Sequence, residues 1–230
     1  MENKVTSNTF TDEGRLLQTE YAIKNVSNAG TVMGLVCTDG VILFGLNSEK
    51  SSTKEKIYKL GDNTYCAVAG LFGDANRLVQ FGRITSIDLE SILGEEPKTQ
   101  ILCKQIGSKK QKYTHLTGTR PFGVSFLYAG YDDGEYVLYS TDPSGTVNRW
   151  NAWSIGSDED AINKNMRNDY KEMVSMEEGV KWLLAEFIKS RECSMSMAER
   201  VELLFYSKNK KQFLSTDRIT EIFKELNVIM

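Results

Sequence analysis

The 230-residue chain predicts an α+β fold: two antiparallel sheets face to face, with helices outside. Three observations carry that expectation. Phe122–Gly130 is a nearly continuous apolar run, so it reads as a strand covered on both faces. The turn signals Thr38-Asp39-Gly40, Gly61-Asp62-Asn63 and Asp132-Asp133-Gly134 each separate two strand-like runs, which makes antiparallel pairs. Between and after these strands lie segments with apolar residues at helical spacing, suited to covering the outer sheet faces.

The elements follow in order. Met1–Asn8 is polar, lacks a hydrophobic anchor apart from Val5, and is expected to be mobile unless a partner orders it. Thr9–Gly14 is a turn-prone lead-in. Leu16–Ser27 has no Gly or Pro and reads as a helix. Its apolar residues form two faces, Leu17 with Tyr21, and Ala22, Ile23 and Val26 with Leu16 beside Ile23. Such a helix either packs against both the body and a partner or lies deep in its own core, and the pattern leaves both open. Thr31–Cys37 and Val41–Leu46 form a hairpin, Asn47–Glu55 a charged loop, and Lys56–Leu60 and Thr64–Ala69 the next pair. After Gly70–Asp74 a helix presents Ala75, Leu78, Val79 and Gly82 on one face. Gly94–Pro97 separates it from a helix over Lys98–Leu116, with Leu102, Ile106 and Tyr113 on one side.

Phe122–Gly130 turns into Glu135–Thr141, and Asp142-Pro143-Ser144-Gly145 turns that into Thr146–Ile155. Ser157–Tyr170 reads as a helix whose first turn holds Asp158, Glu159 and Asp160, which suits the helix dipole. Ser175-Met176-Glu177-Glu178 is a capping-box pattern ahead of Val180, Leu183, Leu184, Phe187 and Ile188. Val201–Ser207 and Gln212–Leu214 form a last hairpin. Ser215 or Thr216 caps a final helix with Ile219, Ile222, Phe223 and Leu226 on one face.

Composition narrows the function. Hydrophobic residues are 40% and charged residues 26%, enough apolar material for one sizeable core. A net charge of −3 offers no basic field for nucleic acid. No run approaches the ~18 apolar residues that would span a membrane, and MENKVTSN lacks the apolar core of a secretory signal. Cys37, Cys66, Cys103 and Cys193 are far apart, without zinc-ligand spacing, and read as buried free thiols in a reducing compartment, cytosol, nucleus or both.

Phe10-Thr11-Asp12-Glu13-Gly14-Arg15-Leu16-Leu17-Gln18-Thr19-Glu20-Tyr21-Ala22 resembles the N-terminal signature of proteasome alpha-type subunits, F-S-P-x-G-R-L-x-Q-V-E-Y-A, with Thr11, Asp12 and Thr19 as departures. The resemblance runs from about Thr9 to Leu226. It continues in Ala29–Gly34, Glu55–Leu60, Ala69–Asn76, Arg120–Ser125, Asp142–Gly145 and Asn168–Glu172. Ala-Gly-Thr at 29–31, the Glu55–Leu60 block, Asp74-Ala75-Asn76 and Asp169–Glu172 point to the third position of the eukaryotic alpha ring, while Asp142-Pro143-Ser144-Gly145-Thr146 suits the fourth position equally well. The loop 47–54 is shorter than usual and the chain ends at Met230 without a charged tail, so a compact version of the subunit is expected.

The resemblance implies a four-layer αββα sandwich, the N-terminal-nucleophile hydrolase fold, with an extra N-terminal helix. It implies a gate tail over 1–8 and a single domain over 9–230. The implied function is non-catalytic: outer-ring assembly, closure of the substrate pore and activator docking in ubiquitin-dependent protein degradation. Partners are neighbouring alpha subunits, underlying beta subunits and the C-terminal tails of regulatory ATPases or other activators. No cofactor, metal, nucleic acid or membrane is implied. The resemblance places Lys56 in the pocket that takes an activator's terminal carboxylate, with Gly70, Leu71 and Glu20 beside it. By pattern alone Lys56 is a solvated charge at a strand start. Of the positions that stabilise an open gate, the resemblance aligns Asn3-Lys4 with a Tyr-Asp pair, Asp12 with a Pro, and keeps only Tyr21.

One rival is an active threonine hydrolase, with Thr31 exposed by autolysis and its own amino group as base. A folded-looking helix precedes Thr31, Asn47 stands where the active family has Asp, and no equivalent of the catalytic lysine is evident. A second rival is a free-standing binding module. His115, the only histidine, reads as a helix-end residue, and Lys109-Lys110 as a solvated helix face.

Overall fold

Strand by strand, the side chains alternate between two destinations, and that alternation builds the layers. A computed structural model describes residues 8–47, 56–170, 175–191 and 193–226. One sheet has the order β10-β9-β2-β1-β8, from β1 (Val32–Val36), β2 (Val41–Leu46), β8 (Ala152–Ile155), β9 (Val201–Tyr206) and β10 (Lys211–Phe213). The other has the order β3-β4-β5-β6-β7, from β3 (Ile57–Lys59), β4 (Thr64–Gly70), β5 (Val124–Asp132), β6 (Glu135–Thr141) and β7 (Val147–Trp150). Every strand pairing is antiparallel.

The two sheets pack against each other. Val41 and Leu43 of β2 meet Leu127 and Ala129 of β5 and Leu138 of β6 in the central layer. The alternate residues face outward. Phe126 and Tyr128 of β5 pack under α2 (Phe72–Leu93) and α3 (Thr99–His115), against Leu78, Leu102 and Ile106. Ile42 and Phe44 of β2 pack under α4 (Glu159–Asp169), α5 (Met176–Ser190) and α6 (Thr216–Glu225), against Leu183, Phe187 and Ile222. Helices therefore cover both outer faces, and the expected four-layer αββα sandwich is present. Nothing among the described helices is long and apolar enough to cross a membrane.

Two expectations change. Thr146–Ile155 is not one stretch of sheet: β7 and β8 belong to different sheets and the chain turns between them at Asn151, whose carbonyl accepts from Val36 N–H at 2.7 Å. Neither Gly nor Pro marks this corner, so the sequence carried no turn signal for it. Lys110 is not part of a solvated face. It has no exposed surface, and its Nζ donates to Val124 O (2.9 Å), Thr141 O (3.1 Å) and Thr141 Oγ1 (2.9 Å). Lys109 lies with its Nζ 3.8 Å from the Phe81 ring centroid.

The extra helix α1 (Leu17–Ser27) crosses one end of the sandwich. Only Thr19 and Val26 are buried, and Val26 plugs the layer between the sheets. Tyr21 and Ile23 remain exposed. The helix is thus not deep in its own core.

Candidate functional site

Two sequence blocks about fifty residues apart form one structure at the start of α2. Asp74, in the first turn, accepts from Arg120 Nη1 (2.7 Å) and Nη2 (2.9 Å) and from Gly123 N–H (2.9 Å). Burial works to raise the Asp74 pKa, but the guanidinium and the Gly123 N–H overcome it and hold the carboxyl below its ordinary value. Leu71 N–H donates to Gly123 O at 2.9 Å, and Asn25 Nδ2 from α1 donates to the same oxygen at 3.1 Å. Gly70 sits at φ +135°. A Cβ there would lie 2.1 Å from Gly123 O, so no other residue fits this crossing. Leu71 and the adjacent Phe72 are exposed beside it.

Lys56 lies at the other side of the same hairpin. β3 and β4 pair Ile57 with Ala67, and Val68 N–H donates to Lys56 O at 3.0 Å. The Lys56 side chain turns inward rather than out to solvent. Its Nζ donates to Gly30 O (3.1 Å) and Val68 O (3.2 Å). Burial pulls its pKa down to about 8, opposed by the nearby Glu202 carboxylate. Glu202, on β9, accepts from Lys56 N–H (2.9 Å), Ile57 N–H (3.1 Å) and Asn47 Nδ2 (2.8 Å). Local sequence gives no signal for Glu202, which comes from a strand nearly 150 residues later. Asp74 and Arg120 are legible only as opposite charges inside the two matched blocks.

Thr31 is fully buried, and its Oγ1 is hydrogen-bonded to Ser157 O and Ser157 Oγ, both at 3.0 Å. The chain before it is tied in place, with Ser157 N–H donating to Ala29 O at 2.8 Å. A lysine does reach this neighbourhood, since Lys56 binds the carbonyl of the preceding Gly30. Asn47 presents a neutral amide engaged with Glu202. His115 is exposed at the last residue of α3.

Among the described residues, no hydrogen bond joins the remaining sequence candidates to the Lys56 ammonium. Glu20 is paired with Arg15, whose Nε donates to it at 2.9 Å. Tyr21 is exposed on α1 and Asp12 is exposed in the turn before it. Asn3, Lys4, the loop residues 48–54 and Lys171-Glu172 lie outside the described residues. Sequence reasoning also missed Asn8, whose Nδ2 donates to Tyr113 O (3.1 Å), Leu116 O (2.8 Å) and Thr119 O (3.1 Å) and so ties the lead-in to the end of α3.

The family model for proteasome subunits matches residues 26–201, most of the sandwich just described. The chain belongs to the proteasome subunit family. A probable proteasome subunit alpha type-3 of Encephalitozoon cuniculi (strain GB-M1) is 48% identical over 228 residues, 98% of each chain. A proteasome subunit alpha type-4 of Spinacia oleracea is 37% identical over 201 residues, 84% of this chain and 80% of the relative. A proteasome subunit alpha type-3 of Saccharomyces cerevisiae (strain ATCC 204508 / S288c) is 37% identical over 200 residues, 84% and 78%. These relatives are alpha-type, the non-catalytic structural members of the outer ring, and the present proteasome subunit is of that type rather than a threonine hydrolase. The sandwich is accordingly that of the N-terminal-nucleophile hydrolases, without a freed nucleophile at Thr31.

Proposed function

We propose that this alpha-type subunit sits at the third ring position, between two other alpha subunits and on beta subunits, in the cytoplasm and nucleus. Residues 9–230 act as one domain and 1–8 as a gate tail over the pore. Lys56 takes the terminal carboxylate of an activator's C-terminal tail, beside Gly70, Leu71 and Glu20. Tyr21 remains from the open-gate positions, while Asn3, Lys4 and Asp12 contribute little to them. The observation that carries the docking reading is the Lys56 ammonium, half-buried and without a carboxylate ion pair among the described residues. A charge in that setting favours an incoming anion. The exposed apolar residues of α1, Tyr21 and Ile23, support a neighbour against that helix.

One preparation tests both parts. The particle is isolated under mild conditions from the protein's own cells, with and without residues 1–8. Native mass spectrometry is expected to find a large multi-subunit cylinder in which this chain keeps the residues before Thr31. Loss of 1–8 is expected to raise basal peptide hydrolysis by the particle. A small species or a chain beginning at Thr31 overturns the assembly reading, and unchanged hydrolysis overturns the gate.

A further inference from the structure

The Lys56 ammonium is placed by a group in the opposite sheet. Glu202 stands in β9 opposite Gly45 of β2, while β3 belongs to the other sheet. Its carboxylate crosses between the sheets to the chain just where β3 begins. There it accepts the N–H groups of Lys56 and Ile57, and it also accepts the Asn47 amide at the end of β2. The residues flanking 48–55 are therefore fastened to one carboxylate. An ionised carboxylate only accepts, through about four lone-pair sites, and the hydrogen bonds here occupy both its oxygens.

With the Lys56 backbone so held, its side chain runs inward. Its stem passes over Gly45, where an added Cβ would come within 2.7 Å of Lys56 Cβ. The Nζ then reaches Gly30 O, just before β1, and Val68 O in β4. Two of the three ammonium donors are used on neutral carbonyls, which leaves a third for an anion. Glu202 itself makes no hydrogen bond to Nζ, so its charge acts on the ammonium without occupying it.

We propose that Glu202 is the positioning residue for carboxylate capture by Lys56: it fixes the lysine backbone across the two sheets, and the ammonium so placed takes the free C-terminal carboxylate of a peptide. This rests on the docking reading of Lys56. Glu202 has two separable effects. Its oxygens hold β3 at Lys56 and Ile57, and its charge offsets part of the burial that discharges the lysine.

The test uses the assembled particle and a photo-crosslinking peptide made twice, once with a free C-terminal carboxylate and once as the C-terminal amide. Adducts on this chain are counted by mass spectrometry. Separately, acylation of Lys56 by acetic anhydride is followed against pH. Glu202→Gln is expected to lower carboxylate-dependent adducts about tenfold, as for one lost charge-assisted interaction. It is also expected to move the midpoint of Lys56 acylation to lower pH, because a negative neighbour has gone. Lost folding alone would expose the lysine and move that midpoint the opposite way, to higher pH. Glu202→Asp keeps the charge but shortens the reach, so its adducts should fall while the midpoint stays near that of the parent. It also serves if Glu202→Gln fails to assemble. Wild-type adduct counts in either variant overturn the positioning role while the docking reading stands. A Lys56→Met particle that still prefers the carboxylate peptide over the amide sinks the docking reading, and this inference with it.

Discussion

Lys110 shows at the scale of one residue how tertiary structure overrides a local pattern. Its ammonium is held by three oxygens and lies 4.7 Å from the Phe126 ring centroid, with no ion pair among the described residues. Burial pulls its pKa down to about 7, from an ordinary value of 10.5. Between those two values the unfolded chain binds a proton here that the native chain does not. The native state therefore gains stability from this group as pH climbs through that window, and the penalty is fully present below about pH 7. Lys110→Met, similar in length and without the charge, is expected to flatten that rise. Urea midpoints taken at pH 7 and pH 9.5 check it, with the slope from one such group bounded by about 1.4 kcal/mol per pH unit. A variant with the parent's pH slope would show that the group does not titrate there. The sequence held a sign of this burial. Lys110 falls four residues after Ile106 and eight after Leu102, on the apolar stripe of α3, whereas its neighbour Lys109 falls about 100° away. The doublet drew attention to charge and away from phase.

At the scale of elements, local signals were legible and remote ones were not. The capping pattern before α5 is real: Ser175 Oγ accepts from Glu178 N–H at 3.3 Å. The same helix end has a second cap that no local motif announces, since Met176 N–H donates to Asp39 Oδ1 at 2.9 Å from the turn between β1 and β2. Sequence marked Asp39 only as a turn former. Each cap answers a different orphan N–H. Ser175→Ala and Asp39→Ala are each expected to cost about 1 kcal/mol in urea unfolding. Because the two oxygens serve different donors, the double variant should lose the sum to within about 0.5 kcal/mol. A neutral Asp39→Ala would mean that water replaces this cap without loss. The 3-10 turn at Met195–Arg200 was equally invisible, because a six-residue segment carries too little periodicity to read. In the candidate site, Gly70 and Leu71 were found because they lie inside a matched block, while Glu202 and Asn25 reach it across the fold.

For the whole molecule, two covered sheets followed from the continuous apolar run Phe122–Gly130 and the turn signals, because a strand apolar on both faces needs cover on each side, and the resemblance supplied the four-layer order. The same logic identifies what remains uncovered. Helix α2 buries Ala75, Leu78, Val79 and Gly82 against its sheet, as its pattern predicted. Its far side carries Ile84, Ile87 and Ile92, and the last two are 66% and 79% exposed. With Tyr21 and Ile23 on α1, apolar surface therefore lies on two different elements. A subunit of a ring has neighbours to cover such surface, and a solitary chain does not. Replacing Ile87 and Ile92 with Glu removes little buried surface, so the chain's thermal unfolding should stay within about 0.5 kcal/mol of the parent. The same change places two charges where a neighbour would have to desolvate them, which costs several kcal/mol unless they are paired. A tagged Ile87→Glu/Ile92→Glu chain expressed alongside the parent is therefore expected to fold, to self-associate less in sedimentation, and to be nearly absent from isolated particles. Recovery in particles at the parent's level would show that this face of α2 looks onto solvent in the assembly, and that the neighbours rest on other surfaces.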